Sequence, residues 1–207
     1  MFKSKFREQV EWVSIKIGIL FSKFGIPANV WTVLALAPAF VGLALLYYKM
    51  VVWAAVLFFI SGFVDAIDGA VARVTHSVSN LGAFLDGVID RYVEISLYLG
   101  LWMYFNNAGI VMPLLPNGAW FILLVFGALM PSFITAYADH KNVVTEPEDH
   151  RRMGGLMERS ERLDVLLLGM FAAYFNPVWL VYAVMLVTVR CHFTVFQRLL
   201  FVVRHHA

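Results

Sequence analysis

Apolar positions in this chain run in long stretches, most of them long enough to cross a bilayer, with the polar residues gathered in the breaks between them. The first stretch has a different pattern. Across residues 2–24, Phe2, Phe6, Val10, Val13, Ile17, Phe21 and Phe24 recur at spacings of three and four, with Lys3, Lys5, Arg7, Glu8, Glu11, Lys16 and Lys23 between them. This periodicity predicts an amphipathic helix lying in the membrane interface rather than across it. Gly25 and Pro27 end it, and Asn29 is the expected N-cap of the next helix.

The following runs predict six spans. Residues 30–48 form the first, and residues 51–75 the second, whose last third carries Asp65, Asp68 and Arg73. A third begins near residue 80 and contains Asp86, Asp90, Arg91 and Glu94. Residues 95–138 hold no charge and are broken at Asn106, Asn107, Gly109, Pro113, Pro116 and Asn117, which reads as the end of the third helix, a turn and the whole fourth. A polar loop over 141–159 precedes two more spans, split at Asn176-Pro177, the fifth being short. No internal repeat is visible. The expected architecture is an all-α integral membrane protein, a single domain over 1–207, with an interfacial helix at 2–24 and a six-helix bundle at 30–204.

Composition agrees with this. Of 207 residues, 61% are hydrophobic and 14% charged, too few charges to coat a water-facing surface. A net charge of +2 does not point to nucleic acid, and the single Cys191 cannot form an internal disulfide. Lys16 interrupts the first apolar stretch and no small-residue cleavage site follows, so no cleavable signal is expected. With both ends on one side, that side receives thirteen of the sixteen Lys and Arg residues, while the opposite loops receive only Lys49. The positive-inside rule then predicts a multi-pass protein of the plasma membrane with both termini in the cytoplasm.

The few intramembrane charges carry the chemistry. Asp65 and Asp68 are spaced i,i+3, and Asp86 and Asp90 i,i+4, so each pair shares a helix face. The turn at 76–79 brings all four near the cytoplasmic membrane face. Four carboxylates in a low-dielectric layer repel one another unless cations compensate, and oxygen-only ligands favour Mg²⁺, Mn²⁺ or Ca²⁺ over zinc. A hard metal held this way suits phosphate chemistry. Gly69 and Ala72 leave a smooth face on which a nucleotide can approach the backbone, Arg73 offers a planar fork for phosphate, and Gly82 permits close helix packing.

Asp65-Ala-Ile-Asp68-Gly69-Ala-Val-Ala72-Arg73, followed after eight residues by Gly82, then Asp86 and Asp90, each after three, resembles the complete signature of the CDP-alcohol phosphotransferases. Asn29 and Thr32, ahead of the first span, resemble that family's Pro-Asn-x-x-Thr element. The resemblance implies that Asp65, Asp68 and Asp86 ligate divalent metal on the pyrophosphate of a CDP-linked lipid. Two Mg²⁺ or Mn²⁺ ions are implied. It further implies that Asp90 touches a metal and acts as general base on an acceptor hydroxyl, and that Asn29, Thr32, Gly69, Ala72, Arg73 and Gly82 line the nucleotide site. A homodimer is also implied, as is a role in membrane phospholipid synthesis with release of CMP.

The segment Gly154-Gly155-Leu156-Met157-Glu158-Arg159-Ser160-Glu161-Arg162 is similar to the branch that makes phosphatidylinositol phosphate or its archaeal ether-lipid counterpart. Lys141, Arg159, Arg162 and Arg190 are the candidate acceptor-phosphate cations. Arg190 lies midway along the sixth predicted span, where a buried guanidinium needs a carboxylate such as Asp164 or a ligand phosphate. A phosphorylated polyol fits these cations better than choline, ethanolamine or serine, whose ammonium groups they repel. Inositol 1-phosphate is the first choice and glycerol 3-phosphate the second. Intramembrane carboxylates also mark proton or cation transporters, but those often show repeated halves and midplane sites, whereas these acids lie toward one face. His76, His205 and His206 read as loop and tail residues.

Overall fold

The computed structural model describes residues 2–206; the side chains of residues 2–10, 147, 150, 151, 205 and 206 lie outside the described set, including the expected apolar positions Phe2, Phe6 and Val10 and the cation Arg151. The described residues are helical and turn structure without strand: α1 Phe2–Ser22, α2 Ala28–Leu34, α3 Leu36–Tyr47, α4 Val51–Val74, α5 Asn80–Asn107, α6 Asn117–His140, α7 Pro147–Arg152, α8 Arg159–Ala172 and α9 Val178–His206. Four stretches are long and apolar enough to span a membrane: Ala28–Tyr47, Val51–Val74, Asn117–His140 and Val178–Arg204. The helices group into two compact units that divide inside α5, between Gly100 and Leu101.

In the first unit α1 docks on α4. A Cβ at Gly18 would stand 2.5 Å from the Ala70 carbonyl oxygen, so only glycine permits the approach. Trp12, Val13, Ile19, Leu20 and Phe24 stay exposed, and the Lys16 ammonium sits 3.5 Å over the Trp12 ring. One side of α1 therefore meets protein and another is left apolar, as an interfacial helix requires.

The first predicted span is interrupted after Leu34. Pro38 has no N–H to offer the carbonyl four residues back, which is that of Leu34. The neighbouring Ala35 carbonyl instead accepts a 2.7 Å hydrogen bond from the buried Ser61 hydroxyl of α4. Asn29 is not the N-cap: the helix starts at Ala28 behind Pro27, which has an extended backbone and no side-chain cap. The Asn29 side chain faces Gly82 instead.

Four helices end with the same device. Lys49, His76, Gly109 and Asn142 have positive φ, and the next N–H reaches back to Leu45, Ala72, Phe105 and Ala138 respectively at 2.8–3.0 Å. These are Schellman closures that satisfy terminal carbonyls, and one of them accounts for His76 as a turn residue.

In the second unit Asn117 ties the loop before α6, accepting from the Met112 N–H at 2.9 Å and donating to the Ile110 carbonyl at 2.7 Å. The predicted polar loop contains the short helix α7, with Pro147 in its first turn beside Glu148 and Asp149. Both are helix-start signals in the sequence, since proline is pre-set for that position and acids complement the N-terminal dipole. Helix α8 begins with a reciprocal capping box between Glu158 and Glu161.

Ser61→Ala removes the donor to the Ala35 carbonyl and is expected to cost about 1 kcal/mol. Thermal unfolding in detergent, followed by tryptophan fluorescence, checks this as a lowered Tm.

Candidate active site

The carboxylates are placed by two helices and one tight reversal. Helix α4 runs through Asp65 and Asp68 to Val74, the Schellman turn at His76 stops it, and Ser79 starts α5 by accepting the Gly82 N–H at 3.1 Å. Asp86 and Asp90 follow within three turns of that start. One oxygen each from Asp65, Asp68 and Asp86 lie within 4.8 Å of one another. Asp90 continues the same face of α5 one turn farther on.

Asp68 is buried, with the Gly69 backbone amide and the Thr32 hydroxyl as hydrogen-bond donors and Asp86 and Arg73 as charged neighbours. Thr32 is itself buried and stands 3.3 Å from the Ala28 carbonyl. The Asp68 Oδ2 atom has no hydrogen-bond partner among the described residues. Three convergent carboxylates, one oxygen of which is shielded from water and from donors, fit a hard divalent cation. Asp65, Asp68 and Asp86 would hold it, and its chemistry would be to neutralise phosphoryl oxygens.

The candidate nucleotide residues gather around this cluster. A Cβ on Gly82 would meet Asn29 Oδ1 and Ser79 Oγ, each at 3.2 Å. The Arg73 guanidinium covers Gly69, with Nη1 3.4 Å from where a Cβ would be, and donates to Ser14 Oγ of α1 at 2.6 Å. Asn29 also borders a cavity of about 300 Å³ lined by Ser22, Gly25, Pro27, Val71 and Ser77. Ala72, on the same helical end, is half-buried. Beyond Asp90, Glu94 is buried at 2% exposure, accepts a 2.6 Å hydrogen bond from Tyr98 and lies 3.7 Å from Arg91. The sequence signals for these two contacts are the i,i+3 spacing of Arg91 and Glu94 and the i,i+4 spacing of Glu94 and Tyr98.

The candidate acceptor cations belong to the second unit, and their settings differ. Lys141 is exposed, its ammonium 5.5 Å from the Tyr137 ring centre. Arg159 is half-buried and Arg162 is 3% exposed, in the first turns of α8. Arg190 is exposed, as is Asp164, and no salt bridge joins them among the described residues, so the expectation of a buried guanidinium at 190 is not met. Burial falls on Arg162 because it shares one face of α8 with the buried Leu166, Gly169 and Met170.

Arg198 was read from sequence only as one of the cytoplasmic basic residues. Its Nη1 donates to the Pro131 carbonyl at 2.7 Å and to Thr135 Oγ1 at 2.8 Å, and Glu158 and Arg162 are its charged neighbours. It lines a cavity of about 460 Å³ with Ser132, Thr135, Ala136 and Asp139. The signal was the i,i+4 stripe Arg190, Thr194, Arg198.

A carboxylate cluster of this kind, close to the ends of two helices, could hold a metal ion. The family model described as CDP-alcohol phosphatidyltransferase matches residues 26–196. The chain belongs to that family and is an enzyme of its class, a multi-pass membrane transferase. Its sequence is 28% identical over 197 residues to an archaetidylinositol phosphate synthase of Pyrococcus horikoshii, covering 94% of this chain and 93% of the other. An archaetidylinositol phosphate synthase of Methanothermobacter thermautotrophicus is 31% identical over 143 residues, covering 69% of this chain and 65% of that protein. A phosphatidylinositol phosphate synthase of Mycobacteroides abscessus is 30% identical over 180 residues, 85% of this chain and 72% of the other. Among solved structures, the Mycobacterium tuberculosis phosphatidylinositol phosphate synthase with CDP-DAG bound superposes with a TM-score of 0.75 at 23% identity, covering 92% of this chain and 93% of that one. The same enzyme in complex with manganese and citrate gives a TM-score of 0.76, covering 91% and 88%. These two likenesses establish the fold.

Asp68→Asn is expected to weaken Mn²⁺ binding at least roughly tenfold, the loss of one charge-assisted contact. Electron paramagnetic resonance titration of free Mn²⁺ against the purified protein measures it.

Proposed function

We propose that the protein transfers the lipid-phosphoryl group of a CDP-linked lipid to a phosphorylated polyol, with inositol 1-phosphate the preferred acceptor and glycerol 3-phosphate the second candidate. The observation that carries the reading is the convergence of the Asp65, Asp68 and Asp86 carboxylates, together with a buried Asp68 oxygen that has no hydrogen-bond partner among the described residues. Two further observations favour the acceptor: the inositol phosphate synthases named among the relatives, and buried or half-buried arginines at 159, 162 and 198.

Asp65, Asp68 and Asp86 hold the metal, Mg²⁺ or Mn²⁺ and two ions in the full complex, with Asp90 adjoining it. Asn29, Thr32, Gly69, Ala72, Arg73 and Gly82 form the cytidine and phosphate site. The glycines keep the helix surface low enough for a nucleotide to reach the backbone. Asp90 accepts the proton of the acceptor hydroxyl as its oxygen attacks the lipid-side phosphorus. The bond from that phosphorus to the bridging oxygen breaks, and CMP leaves with the electron pair. Arg159, Arg162 and Arg198, with Lys141 and Arg190, bind the acceptor's own phosphate through forked guanidinium contacts.

The six-span topology belongs to the same proposal. Helix α5, at ~1.5 Å per residue, is ample for a third span, and α8 is a short fifth. The family match at 26–196 runs through both compact units, which supports one catalytic domain. Cytoplasmic termini in the plasma membrane, with the site open to the cytoplasm, follow from the basic-residue count.

The test is CMP release by purified protein with Mg²⁺ and CDP-diacylglycerol, with inositol 1-phosphate, glycerol 3-phosphate or no acceptor. Release with inositol 1-phosphate alone is expected; no acceptor-dependent release would overturn the reading in favour of transport or a structural role. Asp90→Asn is expected to lower kcat about 10²–10⁴-fold. Arg198→Gln is expected to raise the acceptor KM while the CDP-lipid KM stays near wild type.

A further inference from the structure

We infer that Thr194 and Gln197 of α9 are positioning residues for the acceptor-phosphate cations, acting through the backbone of the loop that opens α8. The inference rests on the proposed reading that Arg159, Arg162 and Arg198 bind that phosphate.

Residues 153–158 carry no helix, yet consecutive points of their backbone are held. Gln197 Oε1 accepts the Leu156 N–H at 2.8 Å, and Thr194 Oγ1 accepts the Met157 N–H at 3.1 Å. Gly155 lies against the Thr194 methyl so closely that a Cβ would collide with it. The Thr194 hydroxyl has the Arg190 carbonyl 3.1 Å away, one turn back on its own helix, as acceptor for its proton. Its lone pairs are thereby turned to the loop. Met153 and Met157, at either end of the held stretch, are buried, and Met153 packs with Ala138 and Val144.

The residue after Met157 is Glu158, the N-cap of α8, whose N–H is satisfied by Glu161 at 2.9 Å. Arg159 and Arg162 therefore project from a helix whose N-cap follows directly on the clamp. Arg198 lies one turn beyond Thr194 and directly after Gln197. One end of α9 thus carries a proposed phosphate ligand together with the two groups that hold the loop from which the other ligands start. Arginine forks bind phosphate well only when their origins are fixed, because a free loop would have to be ordered on each binding event. Neither Thr194 nor Gln197 needs to touch substrate for this role.

Steady-state CMP release by the full-length protein in mixed micelles, with CDP-diacylglycerol and inositol 1-phosphate each varied, tests it. Thr194→Val and Gln197→Leu are each expected to raise the acceptor KM roughly five- to tenfold, the loss of one hydrogen bond. The CDP-lipid KM is expected to stay near wild type. Thr194→Ser keeps the hydroxyl and is expected to retain the wild-type acceptor KM. Gly155→Ala is expected to show the same acceptor defect, and adding Thr194→Ser to it is expected to relieve that defect in part, since serine lacks the methyl that the new Cβ would strike but keeps the Cβ and Oγ1 that would stand 3.1 Å away. An unchanged acceptor KM in both Thr194→Val and Gln197→Leu, or a parallel rise in both KM values, would overturn the clamp. Should Thr194→Val not fold, Gly155→Ala with and without Thr194→Ser decides the matter, and absence of rescue counts against it. The two readings fail separately: a wild type that ignores phosphorylated polyols sinks the acceptor reading, while an active wild type with indifferent variants sinks the clamp alone.

Discussion

Inside a hydrocarbon layer every backbone N–H and C=O must find its partner within the protein, and the whole chain is arranged around that demand. Helices meet it over their length, so the difficulty is confined to their ends and their breaks. The ends of α3, α4, α5 and α6 are closed by backbone reach-back at positive-φ residues. Beside the break after Leu34 the Ala35 carbonyl accepts from Ser61, and in α6 the Pro131 carbonyl accepts from Arg198. Polar side chains that look dispersed along the sequence thus serve the backbone first, and the charges available for chemistry collect where helices stop.

Close helix approach is the second consequence. Without a strong hydrophobic drive between helices in lipid, small residues set how near two backbones come. Gly18 against Ala70 and Gly100 against Leu46 do this in the first unit, and Gly169 against Ala183 does so in the second. Near the carboxylates, Gly82 and Gly69 have a different effect. They leave Asn29 and the Arg73 guanidinium beside a bare helix surface, where a larger residue would stand in the way. Arg73 is in turn held by Ser14, a hydrogen bond that joins α1 to the helix carrying the signature.

Much of the site was legible before any coordinates because its members are close in sequence. Asp65, Asp68, Asp86 and Asp90 lie on two consecutive helices joined by a short turn, and helical periodicity alone puts each pair on one face. The acceptor side was less legible. Its candidates come from α6, the loop before α8, α8 itself and α9, and sequence spacing does not tell a solvated arginine from a buried one. Arg190 looked buried by its place in an apolar run and is exposed, whereas Arg162, among the polar residues that open α8, is buried. Asn29 likewise matched a helix cap by composition, yet Pro27 starts that helix and the amide turns to Gly82.

The amino-acid sequence by itself determined that this is an all-helical membrane protein, where most helices begin and end, and which four aspartates share two helix faces. Those properties follow from local periodicity and from the high cost of charge in lipid, both of which act over a few residues. Tertiary structure decided which cations are buried, that Arg198 braces α6 at Pro131, and that Thr194 and Gln197 hold the loop before α8. Those facts depend on which face of one helix meets another, and the contacts concerned join residues 37 to 67 positions apart. Hydrophobic periodicity carries no information about such pairs, because a helix face fixes what is presented and leaves the partner to packing.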